Sequence, residues 1–238
     1  VTGVFNFGGD LSLFVLLVRA RDLESLRLYA RRCIELVWWG EVAADIGVYT
    51  IALVQGDALG GGLEWALMNR TVIIERGAQA GFPEVLFNLF PGMGGWNVTI
   101  RRAGLAVAND MILSGQIYTA EQLHRRGLVE HVADDGAGEV LLDHFIRSME
   151  PRFRGTMAAL QARRIAAPIA YESLQAIVDH WAVTAMGLSN RDMRLMERLA
   201  RAQIRKIGGA SDGVVEEIKR MELDSAWDFE RTGISEWD

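Results

Sequence analysis

Residues 56–68 read GDALGGGLEWALM, with three consecutive glycines and then a single carboxylate, Glu64, in an otherwise apolar segment. The run YTIALV at 49–54 before it predicts a strand, and the strong helix formers after the glycines predict a helix. We therefore place the glycines at a strand-to-helix turn. Such a turn collects free helix N–H groups, and glycine lets an anion or a polarised carbonyl oxygen approach them closely.

The glycine run by itself leaves two interpretations open, a ligand-binding turn and a purely structural tight turn. A nucleotide-phosphate loop is not indicated, because the spacing GxGxxG is not met and no GxxxxGK[ST] motif occurs in the chain.

Composition excludes several classes of protein. Half of the 238 residues are hydrophobic, which is enough to bury a large core, and the net charge of −6 argues against binding nucleic acid or anionic membranes. The single cysteine, Cys33, cannot form an internal disulfide, and no apolar run has the roughly 18 residues of a membrane span. The N-terminus also lacks the basic region of a signal peptide. We expect a cytoplasmic protein with no membrane association.

Hydrophobic periodicity predicts alternating strands and helices first and then mainly helices. The predicted strands are 49–54, 71–75 and 128–132. The predicted helices are 22–39 (ending at Gly40), one from the glycine turn through about Met68, and then 96–103, 106–113, 120–126, 137–149, 152–166, 171–187 and 190–207. The order strand, helix, strand, helix is typical of an α/β fold.

A second carboxylate, Glu84, lies in FPEVLF and is also surrounded by large apolar residues. Burial raises the pKa of a carboxyl group, and a second carboxylate nearby raises it further. If Glu64 and Glu84 face one cavity, they form an acid and base pair suited to moving protons near neutral pH. The alternative is two glutamates on solvent-exposed surfaces.

A second glycine turn occurs in FNFGGDL at 5–11, again after a strand-like segment. Two separate turns that each offer one backbone N–H to the same oxygen would form an oxyanion hole. Together with two carboxylates, this predicts proton chemistry next to a carbonyl group. The four histidines lack the spacing of metal ligands, so we expect no metal site.

These segments, with GFPEVLFNLFPGMGG and ILSGQIYTAEQLHRRGLVEHV, together resemble the crotonase (enoyl-CoA hydratase/isomerase) superfamily over about residues 4–149. The resemblance implies an α/β fold with a ββα spiral core and a C-terminal α-helical trimerisation region.

PEVLFNLFPGMG, ILSGQIYTAEQL and DMRLMERLARAQIRK resemble the diffusible signal factor synthases within that superfamily. This implies dehydration of a 3-hydroxyacyl chain on acyl carrier protein to a cis-2-enoyl thioester, followed by hydrolysis to a free unsaturated fatty acid signal. Two alternatives remain: an ordinary enoyl-CoA hydratase, and a catalytically silent protein that binds acyl thioesters.

The resemblance also implies roles for individual residues. Glu64 and Glu84 match the two catalytic glutamates, without an assignment of acid and base. The oxyanion-hole N–H groups fall on Phe7 and Gly61, with Gly8 and Gly60 supplying the turns. The acyl chain is expected to contact Leu59, Met93, Trp181 and Trp65, each of which is alternatively an ordinary core residue.

The implied organisation is a crotonase core at 1–149, a helical C-terminal region at 150–210 and an acidic tail at 211–238. Crotonase domains open with further strands, so either the N-terminal part of the domain is missing here or the sheet is completed differently. We expect no cofactor besides the acyl carrier protein or coenzyme A that bears the substrate. The expected assembly is a homotrimer or hexamer, with a regulatory sensor as a possible partner.

Arginine pairs at 31–32, 101–102 and 125–126 are candidates for contacting an acidic carrier protein or a phosphopantetheine phosphate. The alternative for each pair is solvated surface.

Overall fold

The computed structural model describes residues 3–208 and 220, and all structural statements below concern that part of the chain. The predicted acidic tail at 211–238 lies outside the described residues, apart from Arg220. The described part is a mixed α/β fold with a helical C-terminal region, as the sequence predicts.

Within residues 3–208, seven short strands form two sheets, one in the order β1-β3-β5-β6 and the other in the order β2-β4-β7. Their bounds are β1 Gly3–Asn6, β2 Ile51–Val54, β3 Gly56–Leu59, β4 Thr71–Glu75, β5 Gln79–Gly81, β6 Ile117–Thr119 and β7 His131–Ala133.

The same part of the chain forms ten α-helices, and a short 3-10 turn, Pro83–Phe87, follows β5. The helices are α1 Leu11–Arg19, α2 Leu23–Val42, α3 Gly61–Met68, α4 Gly95–Ala103, α5 Leu105–Ser114, α6 Ala120–Arg125, α7 Gly138–Met149, α8 Phe153–Ala166, α9 Tyr171–Ala185 and α10 Asn190–Ile207.

Three parallel strands of the first sheet bring the candidate site residues together. β1 pairs with β3, β3 pairs with β5, and both pairs are parallel. Their carboxyl ends therefore meet at one edge of the sheet. β1 leads into the glycine turn at 7–9, β3 into Gly60, and β5 into the 3-10 turn that carries Glu84.

Two of these strands were not predicted. The strand that directly precedes the triple glycine is β3, formed by GDAL. The predicted strand at 49–54 corresponds to β2, Ile51–Val54, which is separated from β3 by one residue. Gly56 and Asp57 have low strand propensity, and β3 is stabilised by its ladders to β1 and β5. Tertiary pairing thus overrides local propensity here.

The prediction that Gly40 ends a helix was wrong, because α2 continues to Val42. A Cβ atom at position 40 would lie 3.2 Å from the Cβ of Met68. Gly40 therefore permits the close approach of α2 to α3.

Helix α1 was also not predicted. Asp10 caps its N-terminus by accepting hydrogen bonds from the N–H groups of Ser12 and Leu13.

The C-terminal helices fold back onto the N-terminal ones. Helix α9 packs against α2, and α10 packs against α1 and the 3-10 turn. Buried apolar residues of α9 and α10 belong to the main core. Within residues 3–208, no helix is long and apolar enough to cross a membrane.

Candidate active site

Glu64 lies in the first turn of α3, and only 1% of its surface is exposed. Its Oε1 accepts two backbone hydrogen bonds of 2.7 Å, from the N–H groups of Met93 and Gly95. Gly95 is the first residue of α4, so the N-terminal end of that helix points at the carboxylate. The backbone around PGMGG thus fixes the orientation of Glu64.

Glu84 lies in the 3-10 turn Pro83–Phe87, and its carboxylate is next to Gly60. A Cβ atom at Gly60 would be 2.4 Å from Glu84 Oε1, so the absence of a side chain at Gly60 makes room for this carboxylate. Glu84 Oε2 is buried and has no hydrogen-bond partner in the described part of the chain. This carboxylate oxygen is therefore available to a bound molecule.

Burial raises the pKa values of the Glu64 and Glu84 carboxyl groups. Desolvation raises the pKa of Glu64 to about 7, against the opposing effect of the Gly95 and Met93 N–H groups. Desolvation and the nearby charge of Glu64 raise the pKa of Glu84 well above its ordinary value. Near neutral pH the pair therefore holds a proton that can be given up and regained.

The two glycine turns are in direct backbone contact. A Cβ atom at Gly8 would lie 2.8 Å from the Gly61 nitrogen, and a Cβ atom at Gly61 would lie 3.2 Å from the Gly8 Cα. The Gly8 N–H donates to Asn6 Oδ1, and the Gly60 N–H donates to the Gly81 carbonyl. These two N–H groups are thus used within the fold.

One cavity of about 70 Å³ joins these elements. Phe7, Gly60, Gly61, Glu64 and Glu84 all line it. The structure therefore brings together both glutamates and both residues predicted to supply the oxyanion hole. Their catalytic roles stay predictions.

Three of the four residues predicted to contact the acyl chain lie in the wall, namely Leu59, Met93 and Trp181. The Trp181 ring packs against Gly92, where a Cβ atom would be 2.7 Å from its Cγ. The structure does not place Trp65 in the wall; its half-buried ring packs against the core. Adjacent residues of a helix point about 100° apart, so Trp65 lies on a different side of α3 from Glu64.

Helices α1, α2 and α10 also form walls of the cavity, which were not predicted from the sequence. Phe14 of α1 contacts the Trp181 ring edge-on, with 5.0 Å between ring centroids. Cys33 of α2 and Met196 and Leu199 of α10 also line the cavity. The only local signal was helical spacing, which marks a buried face without saying what that face covers.

The arginine pair at 101–102 is not a solvated surface pair or a carrier contact. Arg101 binds Glu41 at 2.6 Å, and Arg102 donates to the carbonyls of Leu67 and Leu128. The side chains of both arginines are less than a tenth exposed.

Among the described residues, no group of three or more His, Cys, Asp or Glu side chains is arranged to hold a metal ion.

The fold is shared with solved structures. An enoyl-CoA hydratase/isomerase from Xanthobacter autotrophicus Py2 superposes with a TM-score of 0.66 at 20% identity, covering 94% of this chain and 78% of that one. At this identity the likeness establishes the fold alone.

Curated sequence relatives are similar to part of this chain. A 2,3-dehydroadipyl-CoA hydratase of Escherichia coli is 36% identical over 114 residues, covering 48% of this chain and 44% of the relative. A protein of Rhizobium meliloti named "Probable enoyl-CoA hydratase" is 44% identical over 130 residues, covering 55% and 51%. The chain thus spans about half the length of the curated relatives it matches.

The family model described as enoyl-CoA hydratase/isomerase matches residues 3–178, well over half of the chain. This region includes both glycine turns, the cavity-lining Glu64 and Glu84, and Met93. The chain therefore belongs to the enoyl-CoA hydratase/isomerase family of the crotonase superfamily.

Proposed function

We propose that this protein is a hydro-lyase that adds water reversibly across the double bond of a 2-enoyl-coenzyme A thioester. The observation that carries the proposal is the pair of buried carboxylates, Glu64 and Glu84, in one apolar cavity beside two touching glycine turns. The names of the sequence relatives support the same reaction class. The carrier is part of the substrate, and no further cofactor is needed.

The N–H groups of Phe7 and Gly61 would bind the thioester oxygen and stabilise the enolate that forms during the reaction. Water adds to C3 while one carboxylate accepts its proton, and the other carboxyl group donates a proton to C2. We assign Glu64 as the base and Glu84 as the acid. The support is that the pKa of Glu84 is raised both by burial and by the Glu64 charge, which keeps its proton in place.

The test is hydration of crotonyl-coenzyme A, followed by loss of the conjugated enoyl absorbance and by mass spectrometry. Glu64→Gln and Glu84→Gln should each lower kcat by about 10²–10⁴-fold. Glu35→Gln is the control, since Glu35 lies on the surface in an ion pair with Arg32. Full activity in either active-site variant would contradict the proposal.

A second candidate function is that of a signal-factor synthase, which dehydrates a 3-hydroxyacyl-acyl carrier protein and hydrolyses the thioester. The observation that favours it is Glu84 Oε2, a buried carboxylate oxygen that has no hydrogen-bond partner among the described residues and would activate the hydrolytic water. Incubation with the acyl carrier protein and coenzyme A substrates separates the two candidates. Release of free cis-2-unsaturated acid from the carrier-protein substrate would favour the synthase. Hydration of the coenzyme A substrate without release of free acid would favour the hydratase.

Thioester binding without any turnover would leave the catalytically silent binding protein as the function. A regulatory sensor as partner is part of the synthase hypothesis alone, so it would fall with that hypothesis.

Self-association through the C-terminal helices is also proposed. Exposed apolar residues there support it: Ile165 is 84% exposed, Ile204 64% and Val183 50%. Light scattering coupled to size-exclusion chromatography should give the mass of a homotrimer or hexamer, and a monomer at micromolar concentration would contradict the proposal.

A further inference from the structure

A side-chain contact joins the segment that carries Glu84 to the last described helix. Asn88 ends the 3-10 turn in the left-handed conformation, with φ 59° and ψ 33°. Its Nδ2 donates a 2.8 Å hydrogen bond to Oδ1 of Asp192, which is 104 residues away in sequence. We call this Asn88–Asp192 contact the clasp.

On one side, the clasp is anchored to Glu84 through the backbone. The Asn88 N–H donates to the Val85 carbonyl at 3.1 Å, and the Leu89 N–H donates to the Glu84 carbonyl at 3.0 Å. Three residues connect Glu84 to Asn88 within this hydrogen-bonded turn. A displacement of Asn88 therefore moves the backbone that holds the Glu84 carboxylate.

On the other side, the clasp is anchored to the first turn of α10. Asp192 is 4% exposed, and its Oδ2 accepts hydrogen bonds from the N–H and hydroxyl groups of Ser189, in the capping box of the helix. Burial alone would raise the pKa of Asp192, but the Ser189 and Asn88 donors lower it, so it is ionised. Hydrogen bonds to an ionised acceptor are the stronger kind.

Both anchored elements line the same cavity. Phe87 and Leu89 flank Asn88 on the turn side, and Met196 and Leu199 of α10 face the cavity one and two turns after Asp192. An acyl chain long enough to reach α10 would press on Met196 and Leu199. The clasp is a direct polar link between that wall and the Glu84 segment.

We propose that Asn88 and Asp192 are positioning residues that couple the filling of the cavity against α10 to the placement of the Glu84 carboxylate. The protein would thus select acyl length in the chemical step as well as in binding. This inference rests on the proposed function for its kinetic test. Misplacement of a reacting group by about 1 Å costs up to 10²-fold in rate, which sets the size of the expected effect.

The variant that tests the clasp is Asn88→Gly. Glycine accepts the left-handed backbone without strain, and Asn88 is exposed, so the variant removes the amide and little packing. Arg21→Gly is the matched control, because Arg21 also has a positive φ, 57°, and bonds the Met186 carbonyl away from the cavity. Asp192→Ala is a second variant, which removes the acceptor of the same contact should Asn88→Gly fail to fold.

The kinetic measurement is kcat and KM for crotonyl-, octenoyl- and dodecenoyl-coenzyme A. In Asn88→Gly, kcat for the dodecenoyl substrate should fall by about 10–100-fold, with a much smaller loss for crotonyl-coenzyme A and little change in KM. Arg21→Gly should behave as wild type. Unchanged kcat, or an equal loss at every chain length, would overturn the coupling.

A binding measurement separates this inference from the proposed function. Hydrogen exchange of residues 83–89 is followed with and without dodecanoyl-coenzyme A, a saturated thioester that cannot be hydrated. The ligand should slow exchange there in wild type but not in Asn88→Gly, even if wild type turns over no thioester. Equal protection in both proteins would overturn the clasp, whatever the activity assay gives.

Discussion

Two buried glutamates lie near opposite ends of α3 and differ in their surroundings. Glu41 is 0% exposed and is bound by Arg101 at 2.6 Å, with Arg70 and Arg164 each 3.7 Å away. Glu64 is 1% exposed, and within the described residues two backbone N–H groups hold it. Both carboxylates are removed from bulk solvent, but of the two it is Glu41 that has cations around it in the described part of the chain.

The difference separates a structural carboxylate from a chemically active one. A buried charge is tolerated when cations compensate it, as around Glu41. At Glu64 the neighbouring titratable group is another carboxyl, Glu84, so protonation is the remaining way to limit the cost of burial. The absence of a cation, more than burial itself, makes Glu64 suited to proton transfer.

Neutralising Glu64 or Glu41 should separate their roles most clearly. The largest expected effect is the loss of catalytic rate when Glu64 is neutralised. In Glu64→Gln, the amide oxygen can still accept the hydrogen bonds of Met93 and Gly95, so the fold should be retained. The rate of crotonyl-coenzyme A hydration should nevertheless fall by about 10²–10⁴-fold. Activity assays with thermal unfolding would show this, and a large drop in melting temperature with normal kcat would reverse the comparison.

Glu41→Gln should have the opposite profile. Loss of the charge leaves the buried Arg70 and Arg101 guanidinium groups uncompensated, and the free energy of unfolding should fall by about 3–5 kcal/mol. Urea unfolding measures this, with Glu35→Gln on the surface of the same helix as the control, expected to cost less than about 1 kcal/mol. Folded Glu41→Gln should keep its kcat, and a selective loss of kcat would argue against a structural role.

Stability should depend on pH through Glu64. Its folded-state pKa of about 7 lies above the ordinary value of 4.5, so the folded state holds a proton that the unfolded state releases. The free energy of unfolding should therefore fall as pH rises from about 4.5 to about 7, by about 3 kcal/mol. Glu64→Gln should make this slope shallower in urea unfolding series without abolishing it, because the pKa of Glu84 is also raised and acts in the same direction. An identical slope in both proteins would assign it to other groups.

The smallest expected effect comes from adding a side chain at Gly60, where the Glu84 carboxylate occupies the space that a Cβ atom would take. In Gly60→Ala, the new Cβ atom would clash with Glu84 Oε1, and φ 53° with ψ −125° is strained for alanine. We expect a loss of about 1–3 kcal/mol of stability together with lower kcat. Gly155→Ala, in helix α8 with open space around it, should be neutral or stabilising in the same unfolding assay. Equal effects of the two substitutions would contradict the role of Gly60.

Much of the candidate site was predictable because its key elements have strong local signals. Glycine turns and carboxylates inside apolar runs are visible in the sequence, and Glu64, Glu84, Phe7 and Gly61 do line one cavity. The long C-terminal helices were predicted nearly to the residue, since amphipathic spacing persists over many turns. The strands were harder, because β3 and β5 exist through pairing with their neighbours.

Residues whose surroundings come from distant elements could not be predicted. Trp65 follows Glu64 directly but faces the core, and the Arg101-Arg102 pair turned out to be internal. The clasp joins residues 88 and 192, and no local pattern links positions so far apart.

By itself, the sequence determined the order of helices from α2 onward, the two glycine turns and the presence of two carboxylates in apolar segments, because these follow from local backbone freedom and hydrophobic periodicity. Only the tertiary structure decided which buried glutamate lies among arginines and which faces another carboxyl group. It also decided that α1, α2 and α10 close the cavity. The physical reason is that desolvation and charge compensation depend on neighbours through space, and these neighbours are far apart along the chain.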